Sequence, residues 1–265
     1  MRGDNLKTEY PDNFTRKRAE RQRRARKRRI ITFLIAFLIL ICVTLITLCF
    51  TIFFPITQVQ VSGSKIYSAD EVSEASFIKV GDNMFAFSAE KLENEIRSKL
   101  PYIADVKVKR NVNGTLKLNL TDAKEKFCYK TDEGYFSVGE DGFVLNQYTE
   151  QPSSLMLVLG VAKELKVGTF AEFDDTVKKE IFDKFLEYGK NTDITGIDLT
   201  DEYAINISVA NRFEVYIGTS NNIKEKLAHL NSMIREIDES KSGKINLSYW
   251  SKEKPEGTFV EKKEE

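Results

Sequence analysis

Residues 30–54 have the sequence IITFLIAFLILICVTLITLCFTIFF, which is 25 residues without a charged side chain. A helix needs about 20 apolar residues to cross the hydrocarbon core of a bilayer, so this run can span one with some tilt. Its threonines, Thr32, Thr44, Thr47 and Thr51, can donate their hydroxyls to carbonyls of the preceding helical turn. The sequence therefore predicts a transmembrane helix over residues 30–54.

A secretory signal peptide is the alternative for an apolar run near the start of a chain. Such a peptide has an apolar region of about 7–15 residues, followed by a cleavage site of small residues. The run in this chain is longer, and it ends in Phe53-Phe54-Pro55, which lacks the small residues of a cleavage site. A retained membrane helix is therefore the favoured interpretation.

The charges on the two sides of this run differ in sign. Residues 1–29 hold twelve Lys/Arg and four Asp/Glu, whereas residues 55–265 hold 28 Lys/Arg and 36 Asp/Glu. Because the positively charged flank of a membrane helix stays inside the cell, we expect 1–29 to be a basic cytoplasmic tail and the rest to be exported. A Lys/Arg run can also bind nucleic acid. Directly beside a membrane span, however, it is better explained as a topology signal with some affinity for anionic lipid, and no nucleic-acid partner is predicted.

The sequence carries few signs of catalytic chemistry. Cys42 and Cys49 lie in the predicted span, so Cys128 alone cannot form a disulfide within the exported part. We find no zinc-protease, serine-hydrolase or phosphate-loop motif, and we predict no enzyme, cofactor or metal site. One enzymatic alternative stays open, a membrane-anchored cell-wall hydrolase that uses Cys128 with His229, because catalytic residues need only meet in space.

Residues 55–124 combine a short strand, two helices and a hairpin. The signals are alternation at Val59 and Val61, a capping box from Ser68 to Glu71, a stripe of Leu92, Ile96 and Leu100 after the helix cap Ser88, and a hairpin turn at Asn113-Gly114. The predicted order is β-α-α-β-β.

Residues 125–250 form a second predicted unit, in which strands and turns alternate with two helices. Asp174 or Asp175 is expected to cap the first helix. The last strand is predicted at Lys244–Tyr249, with Ile245 and Leu247 on one face. Residues 251–265 are charged and are predicted to be a disordered tail. The fold class is therefore α+β.

Several of these motifs, in this order after a membrane helix, resemble one known family. A strand ending in Val61-Ser62-Gly63-Ser64, a Gly-Asp-Asn-Met-Phe turn at 81–85, a helix ending in Leu-Pro-Tyr-Ile at 100–103, and a Val-x-Val hairpin strand at 106–108 resemble the POTRA domain of the bacterial DivIB/FtsQ family. Residues 135–145 resemble the start of that family's second domain, the β domain. The chain departs from the family pattern at Asn113-Gly114, where proline is common, and at Asp122, where glutamate is common.

The resemblance implies a function. A member of this family would be a non-enzymatic, bitopic scaffold at the division septum that helps to control septal peptidoglycan synthesis. Its implied partners are FtsL-like and DivIC/FtsB-like bitopic proteins, with the septal transpeptidase as a further candidate. The alternative is an export or surface-assembly factor that uses a POTRA domain to handle extended polypeptides.

The last predicted strand suggests where a partner binds. Only a charged tail follows it, so we expect an open sheet edge that accepts a strand from another protein. In the resembled family the corresponding strand contacts the DivIC/FtsB-type partner. The resemblance thus implies these partner-binding residues: Lys244, Ile245, Asn246, Leu247, Ser248, Tyr249 and Trp250.

Overall fold

The computed structural model of the protein describes residues 13–52, 54–162 and 164–262. Parts of the predicted segments lie outside the described residues: 1–12 of the basic tail, Phe53 of the membrane span, Lys163 of the second unit and 263–265 of the tail. The predicted fold class is confirmed. An apolar N-terminal helix leads into a small β-α-α-β-β unit and then into a larger mixed unit.

The basic stretch and the apolar run form one continuous helix, α1, from Asn13 to Ile52. Within the described chain, its segment Arg26–Leu48 is the one long and apolar enough to cross a membrane. The hydroxyls of Thr32, Thr44 and Thr47 donate to carbonyl oxygens four residues earlier, at 2.6–2.9 Å. These polar groups are therefore satisfied inside the helix, as lipid surroundings require.

The first globular unit is a three-stranded sheet covered by two helices. Its elements are β1 (Gln58–Ser62), α2 (Ala69–Ala75), α3 (Ala89–Lys99), β2 (Ile103–Arg110) and β3 (Thr115–Asp122). The strand order is β1-β3-β2, in which β1 is parallel and β2 antiparallel to β3. The predicted β-α-α-β-β order is confirmed.

Both helices of this unit begin at the predicted caps. The Ser68 hydroxyl accepts from the backbone N–H of Glu71 at 3.3 Å, and the Glu71 carboxylate accepts from the N–H of Ser68 at 2.8 Å. Ser88 accepts from the N–H of Lys91 at 3.1 Å. Each cap satisfies backbone donors that have no partner inside the helix.

The core of this unit lies between α3 and the sheet. Leu92 and Ile96 are fully buried, whereas Leu100, the residue that follows α3, is only partly buried. The residues that share this core are Ile56, Val72, Ile78, Met84, Ile103, Val106, Leu116, Leu118 and Leu120.

The second unit is a nine-stranded sheet with two helices. Its elements are β4 (Glu125–Thr131), β5 (Gly134–Gly139), β6 (Val144–Tyr148), β7 (Met156–Leu159), α4 (Thr176–Tyr188), β8 (Ile194–Asp198), β9 (Ile205–Val209), β10 (Phe213–Gly218), α5 (Ile223–Glu236), β11 (Gly243–Asn246) and β12 (Thr258–Glu261). The strand order is β12-β11-β10-β9-β8-β7-β4-β5-β6. Asp175 caps α4. The apolar stripes of α4 and α5 share one core with the inward side chains of the strands.

The end of this sheet differs from the prediction in two respects. The strand predicted at Lys244–Tyr249 ends at Asn246, and β12, inside the segment predicted to be a disordered tail, pairs antiparallel with it. The prediction that Lys244–Tyr249 is the uncovered edge is therefore wrong. The physical reason is Phe259, whose ring packs edge-to-face on Phe213 with 6.0 Å between centroids. That contact gives a short, charged segment enough apolar burial to pair.

A buried arginine joins the two units. Arg97 of α3 forms an ion pair with Asp141, which lies in the turn between β5 and β6. Its guanidinium carbon lies 4.2 Å from the ring centroid of Phe143 and 5.3 Å from that of Phe170. Arg97 is only 7 % exposed, so its charge is held between these rings and the carboxylate.

A second junction is built on the carboxylate of Glu125. Its Oε1 accepts hydrogen bonds from the hydroxyls of Tyr102, Ser137 and Tyr148 at 2.7, 2.6 and 2.8 Å. Burial raises the pKa of Glu125, but the three hydroxyl donors outweigh it and leave that pKa below its ordinary value. Because Tyr102 belongs to the first unit, the two units are packed together through side chains as well as joined by the chain.

Candidate functional site

The candidate site is the end of the large sheet formed by β10, β11 and β12. β11 runs parallel to β10 and antiparallel to β12, so it is an interior strand. Lys244 lies opposite Glu214 on one side and Val260 on the other, and Asn246 lies opposite Tyr216 and Thr258. These side chains form the face of the sheet that points away from the core.

The predicted binding residues alternate between the two faces. Ile245 and Leu247 are buried in the core, as the alternation predicts, and so is Trp250. Lys244 is exposed and forms an ion pair with Glu214 at 2.8 Å. The seven residues thus fall into a buried core set, Ile245, Leu247 and Trp250, and a surface set, Lys244, Asn246, Ser248 and Tyr249. Only the surface set is available to a partner.

The chain leaves β11 through a compact turn. The Asn246 side chain accepts from the backbone N–H and the hydroxyl of Ser248, at 2.9 and 2.8 Å. The N–H of Leu247 donates to the carbonyl of Tyr216 at 2.8 Å. As a result Tyr249 is presented to solvent with 87 % of its surface exposed.

Among the described residues no strand pairs with the outer side of β12, so β12 is one edge of the sheet, and β6 is the terminal strand at the opposite end. The N–H of Lys262 donates to the carbonyl of Ser242 at 2.8 Å, which marks a hydrogen-bonded pair of the antiparallel ladder. Because such pairs alternate, the backbone groups of Val260 face β11 and those of Phe259 and Glu261 face outward. The edge that was predicted at Lys244–Tyr249 is therefore formed by β12, one strand further along the chain.

A shallow groove of about 540 Å³ lies on the same end of the sheet. Several of its lining residues were not predicted, notably Arg212, Glu214 and Val260. Arg212 donates to the carbonyls of Asp238 and Lys241 at 2.7–3.1 Å and so holds the approach to β11 in place. In sequence Arg212 is simply a charged residue in a turn, because its partners lie 26 and 29 residues away.

The charges at this site are paired and solvated. The hydrogen bond from Lys244 lowers the pKa of Glu214, and the same contact raises the pKa of Lys244. Both groups are exposed, so the pair adds little to stability. The pair places the Lys244 cation beside the Glu214 anion on the surface, and either group can form an ion pair with a charged partner.

The geometry gives little support to the alternative function, a cell-wall hydrolase that uses Cys128 with His229. Cys128 lies in β4 and is fully buried, and burial, followed by the nearby Glu125 carboxylate, raises the pKa of its thiol to about 11. Since the thiolate is the nucleophile, such a thiol is poorly reactive near neutral pH. Within the part of the chain that the structure describes, no group of three or more His, Cys, Asp or Glu side chains could hold a metal ion.

Comparison with known proteins gives matches across most of the chain. A family model described as "POTRA domain, FtsQ-type" matches residues 54–122. The cell division protein DivIB of Clostridium botulinum is 28% identical over 233 residues, covering 84% of this chain and 90% of the relative. DivIB of Clostridium acetobutylicum is 28% identical over 217 residues, with 79% and 85% covered. DivIB of Listeria monocytogenes is 23% identical over 238 residues, with 85% and 83% covered.

Proposed function

The chain belongs to the DivIB/FtsQ family of cell division proteins, and from this we propose that it is a scaffold of the bacterial division complex. In this role it is a single-pass membrane protein whose globular units hold other division proteins together and help to control septal peptidoglycan synthesis. It acts by binding, without a catalytic step of its own. The observation that carries the proposal is similarity to DivIB along 84% of the chain, which extends beyond the POTRA domain.

The charge distribution supports a particular orientation. The basic residues before the span place residues 1–29 in the cytoplasm and both globular units outside it. The implied partners are FtsL-like and DivIC/FtsB-like bitopic proteins, with the septal transpeptidase as a further candidate. An export or surface-assembly factor remains the competing function, and nothing in the comparisons favours it.

One pair of fusions tests both location and orientation. A fluorescent protein that matures only in the cytoplasm, fused before Met1, is expected to give a band at midcell in dividing cells, because the scaffold collects at the septum. The same protein fused after Glu265 is expected to stay dark. Uniform membrane label from the first fusion would argue against the division role, and bright label from the second would reverse the orientation.

We further propose that a DivIC/FtsB-like partner binds at the β10–β12 end of the large sheet. The outward backbone groups of β12 accept a strand from the partner, whose side chains then meet the surface set of the binding residues. In this arrangement Lys244, Asn246, Ser248 and Tyr249 contact the partner. Ile245, Leu247 and Trp250 support the surface from the core. Tyrosine is frequent in protein interfaces, which fits the exposure of Tyr249.

Proline at Glu261 tests strand addition directly. The N–H of Glu261 faces outward, so Glu261→Pro removes an edge donor without removing a hydrogen bond to β11. Glu261 also pairs with Lys241 at 3.1 Å, and Glu261→Ala removes that pair while keeping the N–H, which makes it the matched control. We expect Glu261→Pro, but not Glu261→Ala, to lose co-purification of the DivIC-like protein from solubilised membranes.

The same experiment separates the competing functions. If both variants fold and retrieve the partner equally well, the partner does not add a strand at β12. If the unaltered chain retrieves a translocase and no division protein, the export function is correct. Circular dichroism of each purified variant shows whether a loss of binding comes from a loss of fold.

A further inference from the structure

Three exposed apolar side chains lie at one end of the first unit. Val80 is 69 %, Phe85 49 % and Val112 92 % exposed to solvent. Val80 and Phe85 belong to the loop between α2 and α3, and Val112 belongs to the turn between β2 and β3. We call this end, residues 79–86 and 111–114, the membrane-proximal tip.

Backbone hydrogen bonds tie the tip to the segment that leaves the membrane helix. The N–H of Met84 donates to the carbonyl of Phe54 at 3.0 Å, and the N–H of Ile56 donates to the carbonyl of Asp82 at 2.8 Å. The N–H of Thr57 donates to the carbonyl of Gly114 at 2.8 Å. Both loops of the tip are thus held against residues 54–57.

The length of chain between α1 and this segment is short. α1 ends at Ile52, and Pro55 already bridges to Asn83. A fully extended chain advances at most about 3.3–3.6 Å per residue, so three residues reach roughly 10 Å. The tip is therefore tethered within a short distance of the point where the chain leaves the bilayer.

The surroundings of the exposed side chains suit a lipid interface. Arg110 donates to the carbonyls of Met84 and Phe87 at 2.9 and 3.0 Å, which places a cation beside the apolar residues. Lys79 and Lys109 are exposed nearby. Asp82 is the acidic residue of this loop, and its carboxylate accepts the backbone N–H of Lys79 at 2.8 Å. Apolar side chains flanked by cations are the composition that binds anionic membrane surfaces.

We propose that the membrane-proximal tip docks on the outer surface of the bilayer, with Val80, Phe85 and Val112 inserted among the lipid headgroups. The proposal rests on the membrane anchor of the proposed function but on none of its partners. Docking fixes the first unit relative to the bilayer. Because side-chain contacts hold the second unit to the first, docking also fixes the distance between the β12 edge and the bilayer surface.

Tryptophan fluorescence in vesicles tests the docking. The full chain is reconstituted in vesicles of equal parts phosphatidylethanolamine and phosphatidylglycerol, with or without bromine on the acyl chains, which quenches nearby tryptophan. Val80→Trp and Val112→Trp report on the tip, and the signal of Trp250 is measured in the unaltered chain and subtracted. We expect brominated lipid to reduce the emission of both probes about twofold, because interfacial insertion reaches the acyl boundary.

The matched control is Ile66→Trp. Ile66 is 51 % exposed in the same unit but lies beyond the far end of β1, next to the contact between the Lys65 N–H and Asp122. We expect its emission to be unchanged by brominated lipid. The proposal is overturned if Val80→Trp and Val112→Trp are quenched no more than Ile66→Trp, whether all three are quenched or none. Midcell localisation is measured separately, so failure here leaves the division role standing.

Discussion

Truncation of Ile96 to alanine is expected to destabilise the first unit by about 2–5 kcal/mol, the range for removing a large side chain from a packed core. Ile96 is fully buried between α3 and the sheet, with Leu92 one turn before it. The neighbouring secondary structure is capped and hydrogen-bonded, so it cannot collapse freely into the cavity. The free energy of unfolding is measured by denaturant titration of the full chain in detergent, followed by circular dichroism.

Two further variants on the same helix calibrate this result. Asn94 is exposed, and Asn94→Ala is expected to change stability by less than about 0.5 kcal/mol. Leu100 is only partly buried, so Leu100→Ala is expected to cost less than Ile96→Ala. Equal stability of Ile96→Ala and Asn94→Ala would mean that α3 does not pack on the sheet through this face.

Much of the first unit could be predicted because its signals are local. The capping box of α2 spans Ser68 to Glu71, and the Asn113-Gly114 turn joins adjacent strands, so each signal is complete within a few residues. Gly114 has a φ of +85°, a backbone conformation that favours glycine. Such elements depend on neighbouring residues and do not require contacts with distant parts of the chain.

β12 could not be predicted because its pairing depends on distant residues. Its four residues, Thr-Phe-Val-Glu, lie between charged segments that resemble a disordered tail. The contact that stabilises it joins Phe259 to Phe213, 46 residues earlier in the chain. The alternation of Ile245 and Leu247 indicated correctly which face of β11 is buried, but alternation says nothing about whether another strand follows. The open edge was therefore assigned to the wrong strand.

The buried arginine was missed for a similar reason. In the sequence of α3, Arg97 is one of several charged residues and suggests a solvated helix surface. Its carboxylate partner Asp141 is 44 residues away, and the ring of Phe170 is further still. Burial of a charge depends on how two units pack together, which no local pattern encodes.

Removing the carboxylate charge at this junction is expected to be costly. Asp141→Asn leaves the Arg97 guanidinium buried and facing an amide, while the side-chain oxygen can still accept the N–H of Phe143 as it does now at 3.2 Å. Loss of one partner of a buried pair costs about 3–5 kcal/mol. We expect a smaller loss, about 2 kcal/mol, because the Asp141 side chain is 40 % exposed and screened by water. Glu93, 3.9 Å from the guanidinium, also retains part of the attraction.

The adjacent residue provides the control, and a double variant isolates the cause. Glu140 pairs with Lys126 on the surface at 2.6 Å, and Glu140→Gln is expected to cost no more than about 1 kcal/mol. If the unpaired buried charge is responsible for the loss, Arg97→Met should restore stability when it is added to Asp141→Asn, because it removes that charge and keeps an unbranched apolar chain between the rings of Phe143 and Phe170. A double variant less stable than Asp141→Asn alone would show that the arginine stabilises the junction through its stacking on the rings and not through its ion pair.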